Sequence, residues 1–224
     1  MRKLVVVVLV LAALGVGGDR VAAQLAASEA ERRLAEEGFA DPGVQLHGFP
    51  FLTQLAAREF SSVTVTGERL ETADGQARDV IAELTDVRAP AGSQVMIGAL
   101  SAHGTVPYDV VVQAAGAPSL RLAAGSGGQV EVSRTVEVAG QSYDVVGQAR
   151  VRARGSRLRL VPTEVTLEGG GVTDDQLSAV LTESVTLTYP IPDLPDGVQV
   201  DQVTAVEEGF VVRVSARDVT VNRN

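Results

Sequence analysis

The sequence predicts an α+β domain built mainly on antiparallel sheet. Three observations predict it. From Ser61 onward, apolar residues recur with period two in segment after segment, the mark of strands with one buried and one wet face. Only a few stretches show helical i, i+3, i+4 spacing. Gly punctuates the alternating runs at Gly140 and at Gly155-Ser156, as tight turns between neighbouring strands require.

The elements follow in order. Met1-Arg2-Lys3 is a basic start, and the 15 residues Leu4 to Gly18 carry no charge. A spanning helix needs roughly 20 apolar residues, so this run fits the apolar core of a secretory signal. Val21-Ala22-Ala23 offers small residues for cleavage before Gln24. An uncleaved anchor is the competing reading. Both readings export the remainder, because the basic end stays inside. The expected organisation is residues 1–23 as signal peptide or anchor and residues 24–224 as one domain. That domain would carry 16 basic and 27 acidic residues, a net −11. At this size it buries roughly 70% of its unfolded surface.

Asp19 to Glu37 is helical in pattern, with a thin stripe of Val21, Leu25 and Leu34 and a charged opposite face. Val44–Gly48 alternates as a short strand, and Pro50 suits the first turn of a helix over Phe51–Leu55. Phe51, Leu52 and Leu55 then share a face. Four of the five Phe fall within 22 residues here. They make a local aromatic mini-core or an apolar lip that touches lipid. Strands are expected around Val63-Val65, Val80–Thr85, Val130–Val138, Tyr143–Arg154 and Leu158-Leu160, with a last hairpin from Val198 to Val221. Residues 107–115 read as a short helix or a strand, and His103 falls in a loop. Thr173 with Gln176 forms a capping box, opening a helix with Leu177, Val180 and Leu181 on its stripe. Pro190, Pro192 and Pro195 stiffen the connector that follows.

Several chemistries find no support. The chain has no Cys and two His, and its net charge is −9, which argues against thiolate metal sites and nucleic-acid partners. No nucleophile elbow, zinc-binding helix or phosphate loop occurs. No metal or cofactor is expected, and an enzyme is disfavoured. Arg150, Arg152 and Arg154 share one face by period two, with Arg157 and Arg159 on the next strand. They form either a solvated face paired with acids across the sheet or a head-group site, since Arg binds phosphate bidentately.

The segment Val44 to Leu55, with its Gly48-Phe49-Pro50-Phe51-Leu52-Thr53-Gln54-Leu55 core, resembles the LmeA-like phospholipid-binding proteins of actinobacterial envelopes. Asp19-Arg20-Val21-Ala22, Thr105-Val106-Pro107-Tyr108 and the run Tyr189 to Pro195 before a valine-rich hairpin extend the likeness over nearly all of the exported chain. The resemblance implies a long curved antiparallel sheet wrapped around a helix, related to tubular lipid-binding proteins, with an apolar groove. It also implies a non-enzymatic protein of the extracytoplasmic envelope. Its partners would be phospholipid, of inositol type for a role in mannosylated inositol-lipid assembly, and the membrane surface. The candidate lipid contacts are Phe49, Phe51, Leu52, Leu55, Leu177, Leu181 and Val212. The candidate head-group contacts are Arg150, Arg152 and Arg154. A packed structural domain without ligand is the alternative, and a glycan-processing enzyme with dispersed carboxylates is the third reading.

Overall fold

Alternation of Val, Leu and Ala with Thr, Ser and Glu produces the long strands it predicts. The computed structural model describes residues 2–72, 75–90, 94–138, 141–154, 157–168, 188–190 and 197–222. The side chains of residues 2–17 and of some strand residues lie outside that description. The first sheet joins β1 (Phe39–Ala40), β2 (Gly43–His47), β3 (Glu59–Thr72), β4 (Gly75–Arg88), β5 (Gln94–Val106), β11 (Gln199–Val206) and β12 (Gly209–Asn222). Its order is β1-β3-β4-β5-β12-β11, with β2 also paired to β3. The second contains β6 (Leu120–Ala124), β7 (Val130–Val138), β8 (Gln141–Arg154), β9 (Arg157–Glu168) and β10 (Thr188–Pro190), in the order β10-β9-β8-β7-β6. All pairings are antiparallel. The single long sheet expected is therefore divided in two among the described residues. β11 packs on β8 and β6, and among the described residues the two sheets share no hydrogen-bonded ladder.

Register makes the first sheet two-faced. Leu46, Val63, Leu84, Leu100 and Ala216 lie opposite one another in one row. Val44, Val65, Ala82, Ala102, Val214 and Val200 form the next apolar row. Thr64, Glu83, Ser101 and Ser215 lie between them on the other face. Most of the apolar rows are only half-buried. Asp86 and Asp218 adopt left-handed backbone on either side of Gly98, and both ladders skip the pair at that level. Asp tolerates this conformation better than most residues.

Helix α1 runs unbroken over Arg2–Glu36, joining the apolar start to the expected 19–37 helix. Among the described residues no helix is long and apolar enough to cross a membrane. The short α2 (Phe51–Ala57) follows Pro50 as expected. Residues Tyr108–Ala114 form helix α3 rather than a strand. Tertiary packing decides between the two: Val111 and Val112 are buried in the core, while Val110 closes over Gly75. His103 lies within β5, not in a loop, because the strand extends to Val106 in register with Phe210. The Gly140 and Gly155-Ser156 turns lie outside the described residues, although the flanking strands pair as hairpins. The helix expected from Thr173 through Leu177 to Leu181 also lies outside them, as do Pro192 and Pro195. Whether a sheet wraps around that helix is therefore not a property of the described residues.

The core sits where the sheets meet. Val111, Val112, Leu120, Val130, Val132, Ala149, Leu160, Ala205 and Phe210 form one buried cluster. Gly209 permits the β11–β12 turn that places Phe210 there. Its φ is +148°, and a Cβ would fall 2.2 Å from the Val106 carbonyl oxygen.

Candidate functional site

Two clefts open beside the core on the edge of the second sheet. The larger, about 640 Å³, lies between α3 and β6. Val112, Pro118, Leu120, Leu122 and the Tyr108 side chain supply its apolar wall, with Asp109 and Glu131 also lining it. The smaller, about 360 Å³, is lined by Ser119, Arg121, Ser133, Arg134, Thr135, Asp144 and Val146. Arg121 and Ser133 line both, so the apolar cleft and the polar one adjoin. Register explains the juxtaposition. Arg121 lies opposite Ser133 and Leu120 opposite Arg134, on the edge pair β6–β7. Alternation sends Leu120 and Leu122 toward the core and leaves Arg121 exposed.

The polar groups of the clefts differ in freedom. Asp144 accepts a hydrogen bond from the Thr135 hydroxyl at 2.7 Å. Glu131 accepts one from the Gln148 amide at 3.2 Å. Among the described residues neither Arg121 nor Arg134 joins an ion pair. Tyr108 is committed to structure: its hydroxyl donates to the Val206 carbonyl at 2.7 Å, and its ring meets Phe210 edge-on at 4.9 Å. Burial, and then the Glu208 charge, push its phenol above the ordinary tyrosine value. Space of this size suits a small ligand or part of a larger one, since ligand pockets span about 300–1,000 Å³. Apolar walls can take hydrocarbon, while two guanidiniums with hydroxyls and a carboxylate beside them can take a phosphate and its polyol.

The residues singled out from the sequence are dispersed. Phe49, Leu52 and Leu55 are 58%, 48% and 46% exposed at the α2 end of the first sheet. Phe51 is 2% exposed and packs on Phe60, with ring centroids 6.2 Å apart. The mini-core reading holds for Phe51, and the expected common face of Phe51, Leu52 and Leu55 does not. Seven residues of helix cannot bury Leu52 and Leu55 along with Phe51 when β3 and α1 cover one side alone. Val212 is half-buried against the core cluster. Leu177 and Leu181 lie outside the described residues.

Arg150 and Arg152 are exposed on β8, and the side chain of Arg154 lies outside the description. Cross-strand acids do not neutralise them. Arg152 lies opposite Arg159, Arg150 opposite Val161, and the backbone of Arg154 pairs with Arg157. No ion pair among the described residues involves Arg150 or Arg152. The β8–β9 pair thus carries a basic ladder in an acidic chain. It does not adjoin α2, whose neighbours are α1 and β3.

Sequence reasoning missed Asp19, Arg121 and Arg134. Asp19 is 2% exposed, and its carboxylate accepts the backbone N–H groups of Phe51 at 2.8 Å and Leu52 at 2.7 Å. It caps α2 from 32 residues away. Pro50 offers no side-chain cap, which was the one legible sign that a partner was needed. Arg121 and Arg134 carry no local signal at all: register places them on opposite faces of the β6–β7 pair, and both line the smaller cleft.

Residues 17–215 of the 224-residue chain match the model of a protein family described as LmeA-like phospholipid-binding. No curated protein and no solved structure matches the chain.

Proposed function

The chain belongs to the LmeA-like phospholipid-binding family, and from that premise we propose that it is an exported, non-enzymatic carrier of phospholipid. The observation that carries this reading is the apolar α3–β6 cleft, which adjoins the Arg121/Arg134 cleft through Arg121 and Ser133. In it the Arg121 guanidinium, beside Ser133 on one face of the β6–β7 pair, binds phosphate oxygens of the lipid as a charge-assisted donor, and Arg134 lines the same cleft. Ser133, Thr135 and Asp144 then face the head group, and their hydroxyls and carboxylate suit a polyol such as inositol. An acyl chain enters along Val112, Leu120 and Leu122, and what the cleft cannot enclose continues over apolar surface. The protein acts outside the cytoplasm, held at or released from the membrane, and supports assembly of mannosylated inositol lipids in the envelope.

Energetics suit a carrier. An acyl chain leaving water gains about 0.8 kcal/mol for each buried CH₂. A chain leaving a bilayer gains almost none of this, because both surroundings are apolar. Release to water is then slow and exchange with membranes easy. The test is to purify the protein without detergent, extract it with organic solvent and analyse the extract by mass spectrometry. Near-stoichiometric phospholipid is expected, with weaker retention of anionic lipid in an Arg121→Gln/Arg134→Gln variant. A lipid-free extract, together with no uptake of added fluorescent phospholipid, would overturn the carrier and leave a packed envelope domain.

A further inference from the structure

The uncharged run Leu4–Gly18 ends one residue before Asp19, and Asp19 is the residue that fastens α1 to α2. Its carboxylate holds the first two amides of α2 at 2.8 and 2.7 Å. Further along α1, Ala23 is buried, and the Glu31 carboxylate accepts the N–H of Val44 at 3.0 Å. The helix is therefore fixed to the first sheet from Asp19 to Glu31. The apolar run, roughly 22 Å of helix at 1.5 Å per residue, leads directly to the face of the molecule that bears α2. There Phe49, Leu52 and Leu55 are large, apolar and exposed, and Arg20 is exposed at the junction.

We propose that the α1–α2 junction seats the domain on a lipid bilayer, with Leu4–Gly18 inserted and Phe49, Leu52 and Leu55 in the interfacial layer. Three features favour lipid over a protein partner as the occupant. The chain entering the patch is itself an apolar run. The acid at the boundary is withdrawn from lipid, because two backbone donors satisfy it inside the protein. Arg20 is exposed at the boundary and Arg58 at the end of α2, and such long basic side chains can keep their heads among lipid phosphates while their stems lie in apolar surroundings. Asp19 sets the orientation, since among the described residues its two hydrogen bonds are the polar link between α2 and the emerging helix. Cleavage after Ala23 would remove Asp19 and leave the amides of Phe51 and Leu52 without this acceptor, so the seat requires the uncleaved chain. This inference deepens the carrier reading by fixing which end of the molecule meets the membrane.

The chain contains no Trp, so single-Trp variants report position without background. Full-length Leu52→Trp, Leu55→Trp and Glu207→Trp proteins are reconstituted with vesicles of phosphatidylcholine and phosphatidylglycerol. Glu207 is exposed at the β11–β12 turn. Expected are blue-shifted emission and quenching by bromine-labelled acyl chains for the Leu52→Trp and Leu55→Trp proteins, and neither for Glu207→Trp. Emission from the first two indistinguishable from that of the third overturns the seat. So does a blue shift without bromolipid quenching, which would assign the patch to a second copy or another protein. Asp19→Ala in the Leu52→Trp background should lose the quenching while the vesicles still retain the chain. Uptake of fluorescent phospholipid is read in the same samples. In the Leu52→Trp and Leu55→Trp proteins that keep Asp19, absent quenching with uptake intact overturns the seat alone, and absent uptake with quenching intact overturns the carrier alone.

Discussion

The two ends of the first sheet are closed in different ways. At the β11–β12 turn, Phe210 is buried between Tyr108 and the second sheet, within a cluster drawn from six elements: α3, β6, β7, β8, β9 and the β11–β12 hairpin. At the other end, Phe51 is equally buried but has α1, α2 and β3 around it, and among the described residues the Asp19 carboxylate is the polar tie between the helices. Strands of 14 residues, β3 and β4, link the ends, a span of roughly 45 Å. Stability is thus divided between two kinds of interaction. One end rests on non-directional apolar burial shared by many residues. The other adds to one buried Phe two directional bonds to one residue, and leaves its outer apolar side chains exposed.

Substitutions can break that contrast. The largest effect is expected for Phe210→Ala. Removing a buried Phe costs about 3–5 kcal/mol, and denaturant unfolding should show it. A loss below about 1 kcal/mol, the scale of an ordinary point substitution, would mean that the cluster is not the main stabilising unit. Next is Asp19→Ala, which leaves two amides without their acceptor. Each buried unsatisfied group costs about 1–3 kcal/mol, and hydrogen exchange should rise first at Phe51 and Leu52. Uniform acceleration across both ends would show that they unfold as one unit and that the division is wrong.

Tyr108→Phe removes one hydrogen bond and should cost about 1 kcal/mol. The pH dependence has a defined sign. The folded phenol is raised above 10.0, so its contribution is complete below that value and declines as pH rises through the raised one. The parent protein should lose stability in that alkaline window, and Tyr108→Phe should lose less. An identical alkaline profile for the two would assign the loss to other groups. The smallest effect concerns the basic ladder. Arg152→Glu places opposite charges across from Arg159 and should stabilise by about 0.2–1 kcal/mol, while weakening association with anionic vesicles. If vesicle association is unchanged, the ladder is a solvated face and nothing more.

Local pattern was enough for much of the fold. Period-two alternation located the strands around Val63, Val80, Val130, Val145 and Phe210, because a half-buried strand writes its burial directly into successive residues. Pro50 marked α2, and the Gly48 to Leu55 motif marked the family. The candidate site was much less legible. Phe51 and Leu52 are adjacent apolar residues, yet one is buried and the other exposed. Helical spacing did not distinguish them, since which flank α1 and β3 cover depends on a packing partner far away in the chain.

The sequence by itself determined the α+β class, the alternating strands, the acidic balance, the apolar start and the family. These depend on composition or on neighbours within a few residues. Only the tertiary structure decided that residues 108–114 are helical, that the strands divide into two sheets, and that Arg152 faces Arg159 instead of an acid. It alone brought Arg121 beside Ser133, and Asp19 onto the amides of Phe51 and Leu52. The physical reason is common to all of these. Register and long-range capping are set by which surfaces bury together most completely, and that choice involves residues tens of positions apart.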